Sequence, residues 1–247
     1  MCRLFAVLAN EPVRVDRAFA ALKRQAVEHK DGWGVAIFND GLPPQLEVST
    51  LSASACNRFS ELGQAVSTRS LLAHLRLASV GSVREENSHP FSANGFAFMH
   101  NGTLHEFEQH RAELEALIDP SLRGKLRGET DSERCFALFL TFLGAEVAPS
   151  LEAMARALAK VMRTAQSVCD RADDPKKSAM NFMVTDGVRM VATRRGRTLF
   201  HAKASGAHFV ASEALWPENE WLEVSENAVL LIDSSLEARE VALEELA

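Results

Sequence analysis

The chain has 247 residues, 47% of them hydrophobic and 24% charged, ordinary proportions for a soluble globular protein with a well-formed core. A net charge of −6 excludes the broad basic field that a nucleic-acid backbone requires, leaving local arginines to hold a small acidic ligand. No run approaches membrane-spanning length, and the opening Met-Cys-Arg-Leu-Phe-Ala-Val-Leu is too short an apolar stretch for a signal peptide. The expectation is a cytoplasmic protein with neither nucleic acid nor membrane as a partner.

In chain order, Arg3 to Leu8 reads as a short apolar strand, and Val15 to Ala26 has helical spacing at Phe19, Leu22 and Ala26. Val35 to Phe38 is a strand closed by the turn Asn39-Asp40-Gly41, with Leu46 to Leu51 as its hairpin partner. Leu71 to Arg76 and Phe96 to His100 are two more apolar strands that run directly into polar residues. The middle turns helical: Glu106 to Ile118, then a helix after Thr130, which with Glu133 fits a capping box. Leu151, Met154, Ala155, Leu158, Met162 and Ala165 repeat on one helical face. Asn181 to Thr185 and Val188 to Thr193 flank Asp186-Gly187, a two-residue hairpin signal, and Phe209 to Ala211 and Val229 to Ile232 complete the strands. This order of strands, helices and strands, with no linker or repeat, predicts one α+β domain over residues 1–247 with largely antiparallel sheets.

Four cysteines are scattered without CxxC spacing, so neither a disulfide framework nor a zinc site is signalled. Cys135 and Cys169 read as small buried hydrophobes, and Cys56 has no informative context. His100, His105 and His110 are five apart, a spacing that does not put them on one helical face, so no metal site is expected. No cofactor is expected either. Arg194-Arg195-Gly196-Arg197 reads as a solvated turn after a strand.

Cys2 differs because of its position. Initiator methionine is generally removed before a residue as small as cysteine, and the mature chain would then begin with a thiol and a free α-amine together. That amine has an ordinary pKa of about 7.7–8.0, so near neutral pH it is in part an unprotonated base beside the sulfur. Taken alone, a cysteine at position 2 is equally the start of a buried strand.

Further segments change that weighting. They are His29-Lys30-Asp31-Gly32-Trp33-Gly34, Ala73-His74-Leu75-Arg76-Leu77-Ala78-Ser79, Asn87-Ser88-His89-Pro90-Phe91, His100-Asn101-Gly102 and Gly128-Glu129-Thr130-Asp131-Ser132-Glu133. With the opening Met-Cys, this ordered series over roughly the first 133 residues resembles the class II glutamine amidotransferases, and most of all their stand-alone bacterial members. The resemblance implies a four-layer αββα sandwich of the N-terminal-nucleophile hydrolase type.

It also implies roles. Cys2 is the nucleophile. Asn101 and Gly102 form the oxyanion hole, through a side-chain amide and a backbone N–H aimed where negative charge develops. Arg76 holds the substrate α-carboxylate through its planar fork, and Asp131 holds the α-ammonium. Trp33 walls the pocket, and Ser79 joins the substrate-binding set. His74 and His89 are structural, since the α-amine already serves as base. Taken singly, Arg76 is a surface salt bridge, Asn101-Gly102 a turn and Asp131 a helix start. Where many synthetase-linked members carry Arg-Trp-Ala-Thr, this chain has Arg76-Leu77-Ala78-Ser79, which alters the pocket wall.

The implied reaction is hydrolysis of glutamine, or of another γ-glutamyl compound, through a Cys2 thioester. Three readings of the whole remain open. The chain supplies ammonia to a separate synthetase subunit, it hydrolyses a γ-glutamyl amine or peptide conjugate as the related hydrolase of ergothioneine synthesis does, or it is a non-catalytic binding module. A homo-oligomer is compatible with each.

Overall fold

Alternation of apolar residues along the strands builds the molecule from the inside outward. The computed structural model describes residues 2–39, 42–145 and 148–246. Met1, and Asp40 and Gly41 of the expected turn, lie outside the described residues.

The elements are β1 (Arg3–Arg14), α1 (Asp16–Gln25), β2 (Trp33–Phe38), β3 (Gln45–Ser49), α2 (Asn57–Ala65), β4 (Ser67–Leu75), β5 (Phe91–Ala93) and β6 (Phe96–Thr103). Four helices follow: α3 (Phe107–Ala116), α4 (Pro120–Arg123), α5 (Asp131–Leu143) and α6 (Leu151–Cys169). The chain then returns to strands: β7 (Ala179–Thr185), β8 (Met190–Arg194), β9 (Phe200–Ala204), β10 (Ala207–Ala211), β11 (Leu222–Glu223), β12 (Ala228–Ile232) and β13 (Ala238–Ala242).

The strands form two sheets, ordered β11-β9-β10-β1-β4-β2-β3 and β13-β12-β8-β7-β6-β5. Neighbouring strands in both sheets run antiparallel. Period-two alternation gives each sheet two buried faces. On the first sheet Phe5, Val7, Trp33, Val35 and Leu71 point outward to α1 and α2, where they meet Phe19, Leu22, Phe59 and Leu62. Leu4, Ala6, Leu8 and Leu72 point inward and pack on Ala97, Met99, Met183, Ala192 and Leu230 of the second sheet. That sheet's other face, with Phe98, Phe182 and Val191, is covered by α3, α5 and α6. The result is the expected α+β four-layer αββα sandwich, with each fully buried Leu, Phe or Met contributing about 1.5–3 kcal/mol.

Several local expectations are sharpened. β1 continues past Leu8 to Arg14, because a register shift between Leu8 and Val13 accommodates Pro12 in the strand. The Asp186 hairpin takes four residues rather than two: Thr185 pairs with Met190, and the Asp186 carboxylate accepts the N–H groups of Val188 and Arg189. Thr130 caps α5 by accepting from Glu133 N at 3.3 Å. The return arm of that box is diverted, since Glu133 instead accepts from Arg127 N and Gly128 N at 2.8 and 2.9 Å. No helix among the described residues is long and apolar enough to cross a membrane.

Candidate active site

Cys2 lies just before β1, in the middle of the first sheet. Arg3 pairs with Leu75 of β4, so continuing the register sets Cys2 against Arg76, and Arg76 N donates to Gly32 O at 2.9 Å on the far side. Three adjacent strand ends therefore carry Cys2, Arg76 and Gly32 in a row. Gly32 adopts φ +119°, and an added Cβ would lie 2.4 Å from Ser49 O, so both conformation and space demand glycine there.

Cys2 is partly exposed, and its thiol is held by the backbone N–H and carbonyl of Leu77. Leu77 N donates to Sγ at 3.4 Å, and Sγ lies 3.5 Å from Leu77 O. Burial pushes the thiol pKa up. The Leu77 backbone and the nearby Arg76 guanidinium pull it down, and Asp131 pushes it up. By contrast Cys56, Cys135 and Cys169 are buried, and burial drives the Cys169 thiol to about 12.

Arg76 is buried, and its guanidinium donates to the carbonyls of Ser82, Val80 and Gly81 at 3.1, 3.2 and 3.4 Å. The loop after β4 thus wraps its own arginine. Glu129 anchors that loop, accepting from Ser82 N, Ser82 Oγ and Asn87 Nδ2 and pairing with Arg84 at 2.7 Å. These bonds, led by the Ser82 N–H, hold its carboxyl at about 2. Ser79 is on the exposed part of the same loop and reaches the second sheet, 2.7 Å from Thr103 Oγ1. Asp31 completes the rim by accepting from Ala78 N at 2.8 Å.

Across the interlayer space, Asn101 and Gly102 are not in a turn but in the last residues of β6, with Asn101 opposite Asn181 of β7. Alternation turns Asn101 toward the first sheet, beside the Ala97 and Met99 positions, and His100 toward the helices. The Asn101 amide donates to Ser212 Oγ at 3.4 Å, and the same hydroxyl accepts from Leu4 N at 2.9 Å, tying Asn101 to the strand that carries Cys2. A Cβ at Gly102 would lie 1.9 Å from Ala179 O, so no side chain fits there. Asp131 opens α5, with one carboxylate oxygen accepting from Leu104 N and the other from Ser132 N, both at 2.8 Å.

Cys2, Arg76, Ser79, Asn101, Gly102 and Asp131 therefore converge at one end of the sandwich. Trp33 does not. It sits one position along from Gly32 in β2, so alternation turns it to the opposite face, where it is buried against Phe59 with ring centroids 5.1 Å apart. It is core, not pocket wall. His74 and His89 are buried with ring centroids 4.3 Å apart and planes tilted by 37°, and desolvation lowers His74 to about 3 and His89 well below the usual histidine range. His100, His105 and His110 diverge to Ser132, Asp174 and Glu113 respectively. Ser212 and Thr103 carry no signal of a role in the sequence, and Glu129, although inside the segment 128–133, is given no role by it. Ser212 in particular is a lone serine after a strand, with no motif around it.

Comparison with known proteins adds to this geometry. The family pattern of the class-II glutamine amidotransferases matches residues 1–212. A probable glutamine amidotransferase of Saccharomyces cerevisiae is 29% identical over 228 residues, covering 78% of this chain and 63% of its own length. Glutamine–fructose-6-phosphate aminotransferase of Gluconobacter oxydans is 26% identical over 257 residues, 94% of this chain and 37% of that protein. Among solved structures, a glutamine aminotransferase class-II domain protein from Silicibacter pomeroyi shares the fold with a TM-score of 0.73 at 23% identity. That match covers 98% of this chain and 99% of the other. The chain spans between 37% and 63% of the length of the first curated relatives it matches. By its sequence pattern and its fold, the chain belongs to the class II glutamine amidotransferase family.

Proposed function

We propose that this chain hydrolyses the side-chain amide of glutamine through a thioester on Cys2, releasing glutamate and ammonia, with residues 1–247 acting as one domain. The observation that carries this reading is the convergence of a partly exposed cysteine, a buried guanidinium, a buried helix-start carboxylate and an Asn-Gly strand end at one mouth. Arg76 and Asp131 would take the α-carboxylate and α-ammonium of glutamine, leaving its amide at the thiol. Ser79 stands on the rim of this pocket.

The Cys2 environment opposes thiolate formation, so the nucleophile needs a base. The α-amine freed by loss of Met1 supplies it, taking the thiol proton directly or through a water and passing it to the leaving nitrogen. The C–S bond forms first, giving a tetrahedral oxyanion, which collapses with cleavage of the C–N bond and departure of ammonia. Water then adds to the thioester carbonyl, the C–S bond breaks, and glutamate leaves with the thiol restored. Asn101 Nδ2 and the Gly102 N–H would stabilise the oxyanion in both steps. The aminotransferase described above is named for glutamine and fructose 6-phosphate together; by analogy, the ammonia made here would pass to an acceptor on a separate synthetase subunit.

Intact mass measurement followed by exposure to 6-diazo-5-oxo-L-norleucine tests this reading. A chain lacking Met1, with one adduct on Cys2 that excess glutamine blocks, is the expected result. An adduct elsewhere, or full glutaminase activity with Met1 retained, overturns it.

A further inference from the structure

Resting on that reading of the site, we propose that Ser212 is a positioning residue for the oxyanion hole. Its hydroxyl orients the Asn101 amide and anchors it to the strand that follows Cys2.

An exchange in the strand ladder points to this role. Phe5 pairs with Ala211, so the antiparallel register of β1 and β10 continues to Leu4 opposite Ser212. A regular pair at that point exchanges two main-chain bonds. One is made in the usual way, from Ser212 N to Leu4 O at 3.0 Å. The other is rerouted: Leu4 N donates at 2.9 Å to the Ser212 hydroxyl instead of its carbonyl. The freed carbonyl accepts from Thr198 Oγ1, in the β8–β9 connection, at 2.8 Å. Alanine at this position could not make the exchange.

The same hydroxyl serves a second donor. It accepts from Asn101 Nδ2 at 3.4 Å, a long bond of the kind that tightens when substrate is bound. A hydroxyl oxygen has two lone pairs, and here both face N–H groups, one from each sheet. Asn101 and Ser212 are both buried, which keeps bulk water from replacing either bond. An amide N–H₂ carries two hydrogens in one plane, so holding one at Ser212 fixes the direction of the other. That second hydrogen is the one the oxyanion would receive.

These bonds also close on themselves. Asn101 stands opposite Asn181 in the β6–β7 pairing, and Asn181 Nδ2 donates to the carbonyls of Arg197 and Thr198 at 3.1 Å each. Thr198 Oγ1 bonds Ser212 O, and Ser212 Oγ returns to Asn101. The circuit takes in β6, β7, the β8–β9 connection and the residue after β10, and so spans both sheets. Each member restrains the next, leaving the Asn101 side chain little freedom to lose when the oxyanion forms. Ser212 is the member that also bonds Leu4, two residues after Cys2. It takes no part in bond making: Cys2 attacks, and the amide that Ser212 sets receives the charge.

Steady-state glutaminase kinetics on Ser212→Ala, Ser212→Thr and Thr198→Val test the proposal, each alone and combined with Asn101→Ala. Active sites are counted by the 6-diazo-5-oxo-L-norleucine adduct at Cys2. Ser212→Ala is expected to lower kcat by about tenfold to a hundredfold with KM for glutamine within about twofold of wild type. A misdirected oxyanion donor forfeits part of its full effect of about 10²–10³. Ser212→Thr keeps the hydroxyl and should recover most of that loss. Thr198→Val leaves the Ser212 hydroxyl in place and should lower kcat by about threefold. In the Asn101→Ala background each substitution should add less than about twofold, because the amide through which it acts is already gone. A kcat within about twofold of wild type in Ser212→Ala overturns the proposal. Losses that multiply with that of Asn101→Ala overturn it too, as does a KM that rises as much as kcat falls. If Ser212→Ala does not fold, Thr198→Val decides: an unchanged kcat, or a loss that persists beside Asn101→Ala, overturns the role of Ser212. No turnover of glutamine by the wild type, together with no adduct at Cys2, overturns the underlying reading of the site as well.

Discussion

At the residue scale, the site rests on a few side chains whose neighbours are dictated by strand geometry. Asn101 is the clearest. Its amide is turned into the interlayer space by β6 and steadied by Ser212, which also bonds Leu4 in the strand that follows Cys2. Removing one oxyanion donor typically costs about 10²–10³ in kcat, so Asn101→Ala should show that loss with KM little changed. Stopped assays of glutamate release would measure it, and a kcat within a few-fold of wild type would exclude the oxyanion role. Cys2, Arg76, Asn101 and Asp131 are expected together only through the resemblance carried by their ordered segments, since each alone reads as an ordinary strand, turn or helix-start residue. Trp33 departs from its expected place for a physical reason: sequence adjacency to Gly32 hides the half-turn of alternation that sends it into the outer core. Ser212 is illegible in the sequence because its value lies in touching Leu4 and Asn101, which are far from it in the chain.

At the element scale, the loop after β4 and the start of α5 act as one unit. Glu129, just before the helix, gathers Ser82, Arg84 and Asn87, and the carbonyls of Val80, Gly81 and Ser82 in the same loop hold the Arg76 guanidinium. Glu129→Gln keeps the shape and removes the charge, and should raise KM for glutamine on the order of threefold to tenfold while largely sparing kcat. Steady-state kinetics decide the matter, and an unmoved KM would separate the loop from substrate binding. Because its carboxyl is held at about 2, this anchoring is complete above the ordinary glutamate range and is lost only as pH falls toward that value. The long elements with strong periodicity, α6 above all, are readable from spacing. Short or atypical ones are not. α2 contains Gly63, a weak helix former, yet a Cβ there would lie 2.6 Å from Phe19 Cβ, so close packing of α1 on α2 overrides propensity. β9 and β13 carry charges on exposed positions and owe their strand form to neighbours in the sheet.

At the scale of the whole molecule, buried neutral histidines tie stability to pH. Desolvation holds His74 at about 3 and His208 at about 4, and lowers His89 and His100 as well. In the unfolded chain the same groups protonate near 6.5. Below that pH the unfolded state binds more protons, so stability falls as pH falls, by up to about 1.4 kcal/mol per pH unit for each such histidine. The contribution is complete above 6.5 and declines through the window down to about 3 for His74 and about 4 for His208. Tm should be level above pH 7 and drop steeply between pH 6.5 and 4. Scanning calorimetry across that range checks it, and a level Tm down to pH 5 would contradict it.

The bond from Leu4 N to Ser212 Oγ joins positions 208 apart in the chain, and β10 closes on β1 over the same span. During synthesis the strand behind Cys2 therefore waits for its second neighbour until β10 and Ser212 have been made. Contacts of such long range form late and slow folding. Truncation ahead of Ser212 would remove the hydroxyl that links Leu4 to Asn101. The order of translation thus delays completion of the strand neighbours around Cys2 until β10 is made.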